Sequence, residues 1–165
     1  LAFERIGDGL DKERYVADVL AWNARCIDVA VERPQAGYVN ISPLMDDGAP
    51  NDEELAALRA VFDESNIHQG DYIQVFAPTP WEFSFTLQLT VNDPAAVAAA
   101  SSAVQGVLDG WAKRLSGYIA PSDIVRAARN VSGVIEADVP DLTFAQIQQN
   151  AWRKCTGFTT TVEVL

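Results

Sequence analysis

Residues 82–91 read EFSFTLQLTV and alternate between apolar and polar side chains along most of the stretch. Phenylalanine, leucine or valine stands at every second position, and serine, threonine or glutamine stands between them. Successive side chains of a β-strand point to opposite faces of its sheet. The pattern therefore predicts a strand with one face on a hydrophobic core and the other toward solvent.

A short proline-rich segment, Pro78–Pro80, comes just before this strand. Each of its two prolines biases the preceding residue toward extended backbone, so the segment predicts a stiff connector. A chain of 165 residues can form one domain or two small ones. We therefore predict two small subdomains, residues 1–78 and residues 79–165, joined by this connector.

The first subdomain is predicted to follow the order α-β-β-α-β. Tyr15, Val19 and Trp22 recur at helical spacing, and Asn51 with Glu54 is typical of a capping box at the start of a second helix. Three further segments alternate as strands do. The predicted elements are a helix that begins at Asp11 after a flexible entry at Gly7–Gly9, strands over 26–31 and 38–43 with a turn at 34–37 between them, a helix from Asn51 to about Asn66, and a strand over 72–77.

The second subdomain is predicted to follow the order β-α-α-β-β, and the two together give an α+β (mixed α/β) fold. Asp93 and Pro94 are typical of an N-cap and a first helical position, and Ser122 is typical of another N-cap. Gly106 and Gly110 lower helix propensity, which indicates close approach by a neighbouring element. The predicted elements are helices from Asp93 to about Leu115 and from Ser122 to Arg129, and strands over 134–139 and 158–164. The first of these helices is expected to bury Val97, Val104, Leu108, Trp111 and Leu115.

The chain is strongly acidic, with 23 aspartates and glutamates against 12 lysines and arginines, for a net charge of −11. This balance argues against binding to nucleic acid or to an anionic membrane, because phosphate contacts need clustered basic residues. It favours solubility, with docking on a basic partner as the alternative. Residues 94–108, the longest uncharged apolar-rich stretch, are too few and too polar to span a bilayer. Residues 1–12 lack the apolar region of a secretory signal, and a start at Leu1 without a methionine indicates a piece of a longer protein.

Residues that commonly carry out chemistry are sparse. His68 is the only histidine, and its position before Gly70 predicts a surface loop rather than part of a catalytic triad. Cys26 and Cys155 are far apart in sequence, so we expect reduced core thiols and no zinc site. No catalytic, cofactor-binding or metal-binding residue is therefore predicted, and the chain is not expected to be an enzyme.

The densest acidic cluster lies around the start of the second helix. Its members are Asp46, Asp47, Asp52, Glu53 and Glu54. Carboxylates suit calcium or magnesium, but acids are also stabilised at a helix N-terminus. Because the spacing of an EF-hand is absent, the sequence favours a solvated loop with helix-stabilising acids over a metal site.

Five residues are candidates for contact with other chains. Trp81 and Trp152 lie outside the regular patterns, where aromatic residues can anchor interfaces, although core packing is the favoured interpretation of both. Thr159, Thr161 and Glu163 lie in the final predicted strand. If this strand forms the edge of its sheet, it can pair with a neighbouring chain.

A set of stretches forms a specific pattern through its order and spacing, and it covers nearly the whole chain. The stretches are Arg14-Tyr15, Asp28–Val31, Pro34–Val39, Gly48–Asn51, Asp71–Ala77, Phe83–Leu89, Ser132–Val134 and Gln149–Thr156 with the threonine-rich end. Together they resemble the C-terminal half of the phage baseplate J-like proteins, which are wedge components of contractile tails. The N-terminal half of that family, which helps organise contacts between wedges, has no counterpart in this sequence.

The resemblance implies a structural subunit of a virion tail baseplate, assembled in the bacterial cytoplasm, without catalytic residues or a small-molecule substrate. Its implied partners are other wedge subunits and neighbouring copies of itself. Two alternatives stay open. A small α/β ligand- or metal-binding module would have a defined pocket with convergent polar groups. A tail-associated hydrolase would have two carboxylates about 5–10 Å apart in a cleft.

Overall fold

The computed structural model describes residues 2–65 and 71–165, and they form an α+β fold, as the sequence predicts. The helices are α1 (Ala2–Trp22), α2 (Asp52–Ser65), α3 (Ala96–Ala112) and α4 (Pro121–Arg129). The strands are β1 (Cys26–Gln35), β2 (Tyr38–Met45), β3 (Tyr72–Val75), β4 (Thr79–Val91), β5 (Tyr118–Ile119), β6 (Val134–Asp138), β7 (Ala145–Gln146) and β8 (Ala151–Val164).

The chain divides into two compact units, Leu1–Thr79 and Pro80–Leu165, each with its own hydrophobic core. The division falls inside the predicted connector, Pro78–Pro80. Thr79 and Pro80 already belong to β4, however, so the connector is also the start of a strand. Proline is compatible with this position because it lies near the first residue of the strand.

The first unit is built on a three-stranded sheet in the order β1-β2-β3. β1 and β2 are antiparallel and joined by a two-residue turn, Ala36-Gly37. Gly37 has φ +77°, a conformation that glycine adopts without steric cost. The turn is therefore shorter than predicted, since Pro34 and Gln35 still lie in β1. β3 is parallel to β2, and α2 provides the crossover between them.

The predicted apolar stripes form the core of this unit. Tyr15 and Val19 of α1 are fully buried, which confirms the helical spacing. A bidentate ion pair lies beside them. Both oxygens of Asp71 accept from Arg33, at 3.2 and 3.0 Å, and the Tyr15 hydroxyl donates to Asp71 Oδ2 at 2.9 Å. The three side chains link α1 and β1 to the residue that precedes β3.

Helix α1 begins at Ala2, so the prediction of a start at Asp11 after a flexible Gly7–Gly9 entry is wrong. The sequence carries a helical signal that this prediction overlooked: Phe3, Ile6 and Leu10 are separated by three and four residues. Glycine costs a helix roughly 1 kcal/mol relative to alanine, which lowers stability without forbidding the conformation.

Helix α2 begins with the predicted capping box. The Glu54 N–H donates to Asn51 Oδ1 at 2.8 Å, and the Asn51 N–H donates to Glu54 Oε2 at 2.9 Å. The two side chains thus satisfy one another's backbone donors at a helix end that otherwise leaves such groups unpaired.

The second unit contains a three-stranded sheet in the order β6-β4-β8. β4 and β6 are antiparallel. Lys154 of β8 lies beside Glu82, and the Leu165 N–H donates to the Val91 carbonyl at 3.0 Å. Because positions advance together along both strands, β8 runs parallel to β4. The predicted apolar face of β4 is buried in the core together with α3 and α4, as shown by Phe85, Leu87, Leu89 and Val91.

Helix α3 buries Val104, Leu108 and Trp111, as predicted, but it ends at Ala112. Leu115 has left the helix and forms an isolated β-bridge with Trp152. The prediction of close packing at the two glycines is wrong, because no neighbouring element within the described residues comes within 4 Å of a Cβ added at Gly106 or Gly110.

The predicted caps of the second unit are wrong. α3 begins at Ala96 with Ala95 at its N-cap, so Asp93 and Pro94 precede the helix. The Asp93 side chain instead accepts from the Ala95 N–H at 2.9 Å in the turn before it. Ser122 is not a cap, since α4 begins at Pro121 after Ala120. Proline favours this first position because its missing N–H has no helical acceptor there.

The predicted order β-α-α-β-β omits two short strands. β5 and β7 pair with each other over two residues each, too few for alternation to mark them. β8 begins at Ala151, ahead of the predicted start at Phe158. Gly157, at φ +150°, interrupts the alternation of this strand, so the residues before it do not show the pattern of a strand.

We expect Asn51→Ala to lower the free energy of unfolding by about 1 kcal/mol, because the Glu54 N–H loses its acceptor. Chemical denaturation followed by circular dichroism measures the change. Glu53→Gln is the matched control, since it removes only one exposed charge from the same helical turn and should cost about 0.3 kcal/mol. Equal losses in the two variants would contradict a role for the capping box.

Candidate interaction surfaces

Strand β8 lies at the edge of the sheet in the second unit. Apart from the Leu115–Trp152 bridge at its start, no strand among the described residues pairs with its outer side. The Leu165 N–H points at β4, and backbone groups alternate in direction along an extended strand. The N–H and C=O groups of Val162 and Thr160 therefore point outward, where a further strand could bind them.

The three sequence-predicted residues of this strand lie on its solvent side. Thr159, Thr161 and Glu163 are all exposed, and the Thr159 hydroxyl lies 3.5 Å from the Thr86 hydroxyl of β4. Val164 on the same strand is 54% exposed. The end of β8 thus combines open backbone groups with polar and apolar side chains, a combination that suits pairing with another chain.

The solvent face of the sheet is acidic. A shallow depression crosses the three strands, and its lining includes the carboxylates of Glu136, Asp138 and Glu163. Lysine and arginine are absent from this lining within the described residues. The depression therefore favours a positively charged or neutral neighbour over an acidic one.

The two tryptophan candidates differ in exposure. Trp81 of β4 is 41% exposed and is available to a partner. Trp152 is only 8% exposed, so the prediction of an interface anchor is wrong at this position. The physical reason is the segment after α3, which folds back and pairs Leu115 with Trp152. Trp152 is instead buried within the fold, which is the interpretation that the sequence favours.

Two exposed aromatic pairs were missed in the sequence. The rings of Tyr118 and Phe144 stack at 5.4 Å between centroids, and those of Tyr38 and Tyr72 meet edge to face at 5.5 Å. Phe144 is 66% exposed and Tyr118 is 49% exposed. Tyr118 and Phe144 belong to no periodic pattern, because Tyr118 lies in a two-residue strand and Phe144 lies in the loop before β7. Only the pairing of β5 with β7 brings them together.

Arg153 lies beside the first of these pairs and is only 9% exposed. Its Nη1 donates to the Tyr118 carbonyl at 2.9 Å, and its guanidinium lies 5.2 Å from the centroid of the Trp111 ring. Burial lowers the pKa of Arg153, and nearby Arg114 lowers that pKa further, whereas Asp123 acts in the opposite sense. A guanidinium nevertheless stays charged at neutral pH.

The acidic cluster is tied together by Arg25. Its guanidinium pairs with Asp46 at 3.2 Å, with Asp47 at 2.5 Å and with Glu54 at 2.6 Å. Asp52 and Glu53 lie in the first turn of α2, where the helix dipole favours acids. Among the residues that the structure describes, no three histidine, cysteine, aspartate or glutamate side chains are grouped so as to hold a metal ion.

Both cysteines are free thiols. Burial raises the pKa of Cys26 to about 11, and it also raises the pKa of the half-buried Cys155. A high pKa keeps a thiol protonated and weakly nucleophilic at neutral pH. His68, predicted to lie in a surface loop, is outside the described residues. None of the described helices is both long and apolar enough to cross a membrane.

No protein-family model matches this chain, and no curated protein matches it. The candidate surfaces therefore depend on the residues and distances given above.

We expect Trp152→Ala to lower the free energy of unfolding by about 3–5 kcal/mol, because it removes a buried ring and leaves a cavity. The matched change Trp81→Ala should cost less than about 1 kcal/mol, since that ring is largely exposed. Urea denaturation of the two variants beside the unaltered chain measures both values. A larger loss for Trp81→Ala than for Trp152→Ala would contradict the assignment of these rings.

Proposed function

We propose that this chain is a structural subunit of a phage-type contractile tail baseplate, in the wedge, and that it assembles with its neighbours through strand β8. The observation that carries the proposal is the open edge of β8, with exposed Thr159, Thr161 and Glu163 along it. The resemblance to baseplate J-like proteins supports the choice of particle.

Strand addition suits an assembly subunit for a physical reason. Backbone hydrogen bonds supply affinity whatever the partner's sequence, and side chains on alternate positions supply specificity. On β8 the outward backbone groups belong to residues such as Thr160 and Val162, while Thr161 and Glu163 face solvent beside the acidic depression. The partner strand is therefore expected to be neutral or basic. Natural proteins usually protect an edge of this length, so an unprotected one favours a role in pairing.

The proposed role in a contractile tail baseplate is tested by identifying the proteins that bind this chain. Genes flanking the gene for this chain should encode other wedge, tube and sheath proteins. When those wedge subunits are produced together with this protein, at least one should co-purify with it at a fixed ratio. If no tail component binds this protein, the proposal is wrong.

The edge is tested by Val162→Pro with Val162→Thr as the matched control. Proline removes the outward N–H of β8 without removing a bond to β4, whereas threonine keeps that N–H and nearly the same shape. We expect the proline variant to weaken binding of the identified wedge subunit at least tenfold and the threonine variant to change it less than twofold.

Calorimetry measures the affinities, and thermal unfolding shows that both variants are folded. Equal binding by the two folded variants would show that β8 is not the contact strand. If the proline variant does not fold, Val162→Lys repeats the test, because a charge on an edge also opposes strand pairing.

A further inference from the structure

Arg153 is a buried cation without an acidic partner. Among the described residues, no aspartate or glutamate oxygen lies within 4.0 Å of a guanidinium nitrogen of Arg153, the distance at which an ion pair forms. Its Nε is buried and finds no hydrogen-bond partner in the part of the chain that the structure describes. Asp123, the acid that favours the charge of Arg153, pairs with Arg126 at 3.7 Å. Buried charges are usually paired, so this guanidinium is an exception that calls for an explanation.

A second cation lies next to the first. The antiparallel bridge between Leu115 and Trp152 places Arg114 opposite Arg153. Arg114 is exposed, and its positive charge repels the positive charge of Arg153. Among the described residues, no acid forms an ion pair with Arg114 or Arg153, although Asp123 lies near enough to favour the charge of Arg153. In a chain of net charge −11, these two neighbouring arginines form a local positive site. Such an arrangement is unfavourable on its own and becomes favourable when an anion binds between the cations.

A pair of exposed aromatic rings is linked to Arg153 through the backbone of Tyr118. The Tyr118 carbonyl accepts from Arg153, and the Tyr118 ring stacks on Phe144. Both rings are largely exposed. Exposed aromatic rings beside an arginine are typical of the anchor points of protein interfaces.

We propose that Arg114, Arg153 and the Tyr118–Phe144 pair form a docking site for an acidic segment of another protein chain, in which a carboxylate lies beside an apolar side chain. The carboxylate pairs with the two guanidiniums, and the apolar side chain covers the two rings. This surface is separate from the outer edge at the end of β8. It attracts a negatively charged partner, whereas the acidic depression beside that edge favours a neutral or basic one. The inference rests on the proposed assembly role for the class of its partner, a neighbouring subunit.

Charge and shape together select this occupant. A small inorganic anion would satisfy the guanidiniums but leave the rings exposed, whereas an apolar segment would leave Arg153 unpaired. The exposed Arg114 can offer its fork to a carboxylate through two parallel hydrogen bonds. Arg153 adds a second positive charge, because its Nη1 is already engaged by the Tyr118 carbonyl and its Nε is buried. A purely structural Arg153, held by the Trp111 ring and the Tyr118 carbonyl, would explain neither Arg114 nor the exposed aromatic pair.

The test uses isotope-labelled full chain and N-acetyl-phenylalanyl-glutamate amide as the probe. We expect saturable shifts of the Arg153 Nε–H and the Trp111 indole N–H resonances, with a Kd of about 1–10 mM for so small a ligand. The neutral N-acetyl-phenylalanyl-glutamine amide and inorganic phosphate should each bind at least threefold more weakly. Absence of a saturable shift, or equal binding of either comparison ligand, would overturn the proposal.

Surface variants identify the groups involved without disturbing the core. Arg114→Gln and Phe144→Ser should each weaken probe binding about threefold, as expected for exposed contacts. Arg129→Gln, an exposed arginine at the end of α4, is the control and should leave binding unchanged. Equal effects of Arg114→Gln and Arg129→Gln would show only a general effect of charge and would overturn the site.

This result is independent of the test of the proposed function. If the probe binds but no wedge subunit co-purifies, the site stands and the baseplate role fails. If a wedge subunit binds but the probe does not, the baseplate role stands and the acidic-segment site fails.

Discussion

Strand β4 imposes the constraint on which the second unit depends. It must bury one face while its backbone groups find partners on both sides, because unpaired buried amides cost free energy. β6 supplies those partners on one side and β8 on the other, and α3 and α4 contribute to the core on its apolar face. With β4 in the centre, β6 and β8 are the edges. The open edge of β8 thus follows from the position of β4.

The strength of the local signal decided which elements could be predicted from the sequence. The strict alternation of β4 and the Asn51–Glu54 capping box depend on residues close in sequence, and both are present in the structure. β5 and β7 have only two residues each and exist because they pair with one another. No local pattern encodes such a pairing, so these strands could not be predicted.

Some residues of the candidate surfaces could likewise be predicted from a local pattern, whereas others depend on contacts distant in sequence. Alternation alone places Thr159, Thr161 and Glu163 on one face of a terminal strand, and their exposure agrees with it. The difference between Trp81 and Trp152 could not be predicted, because it depends on a distant segment that pairs Leu115 with Trp152. The same fold-back buries Arg153, which by composition alone is expected on the surface.

Strand β8 carries both proposed surfaces, and its length keeps them apart. Arg153 lies near its first residue and Val162 near its last, nine residues apart, which corresponds to about 30 Å of extended chain. Sites so distant and without shared partners act independently in energy. Their charges also differ, since the acidic depression lies near one end and two arginines lie near the other. A single short segment cannot span both, so the two proposed sites, if both are occupied, take two different neighbours or two regions of one long neighbour whose charges follow the opposite order.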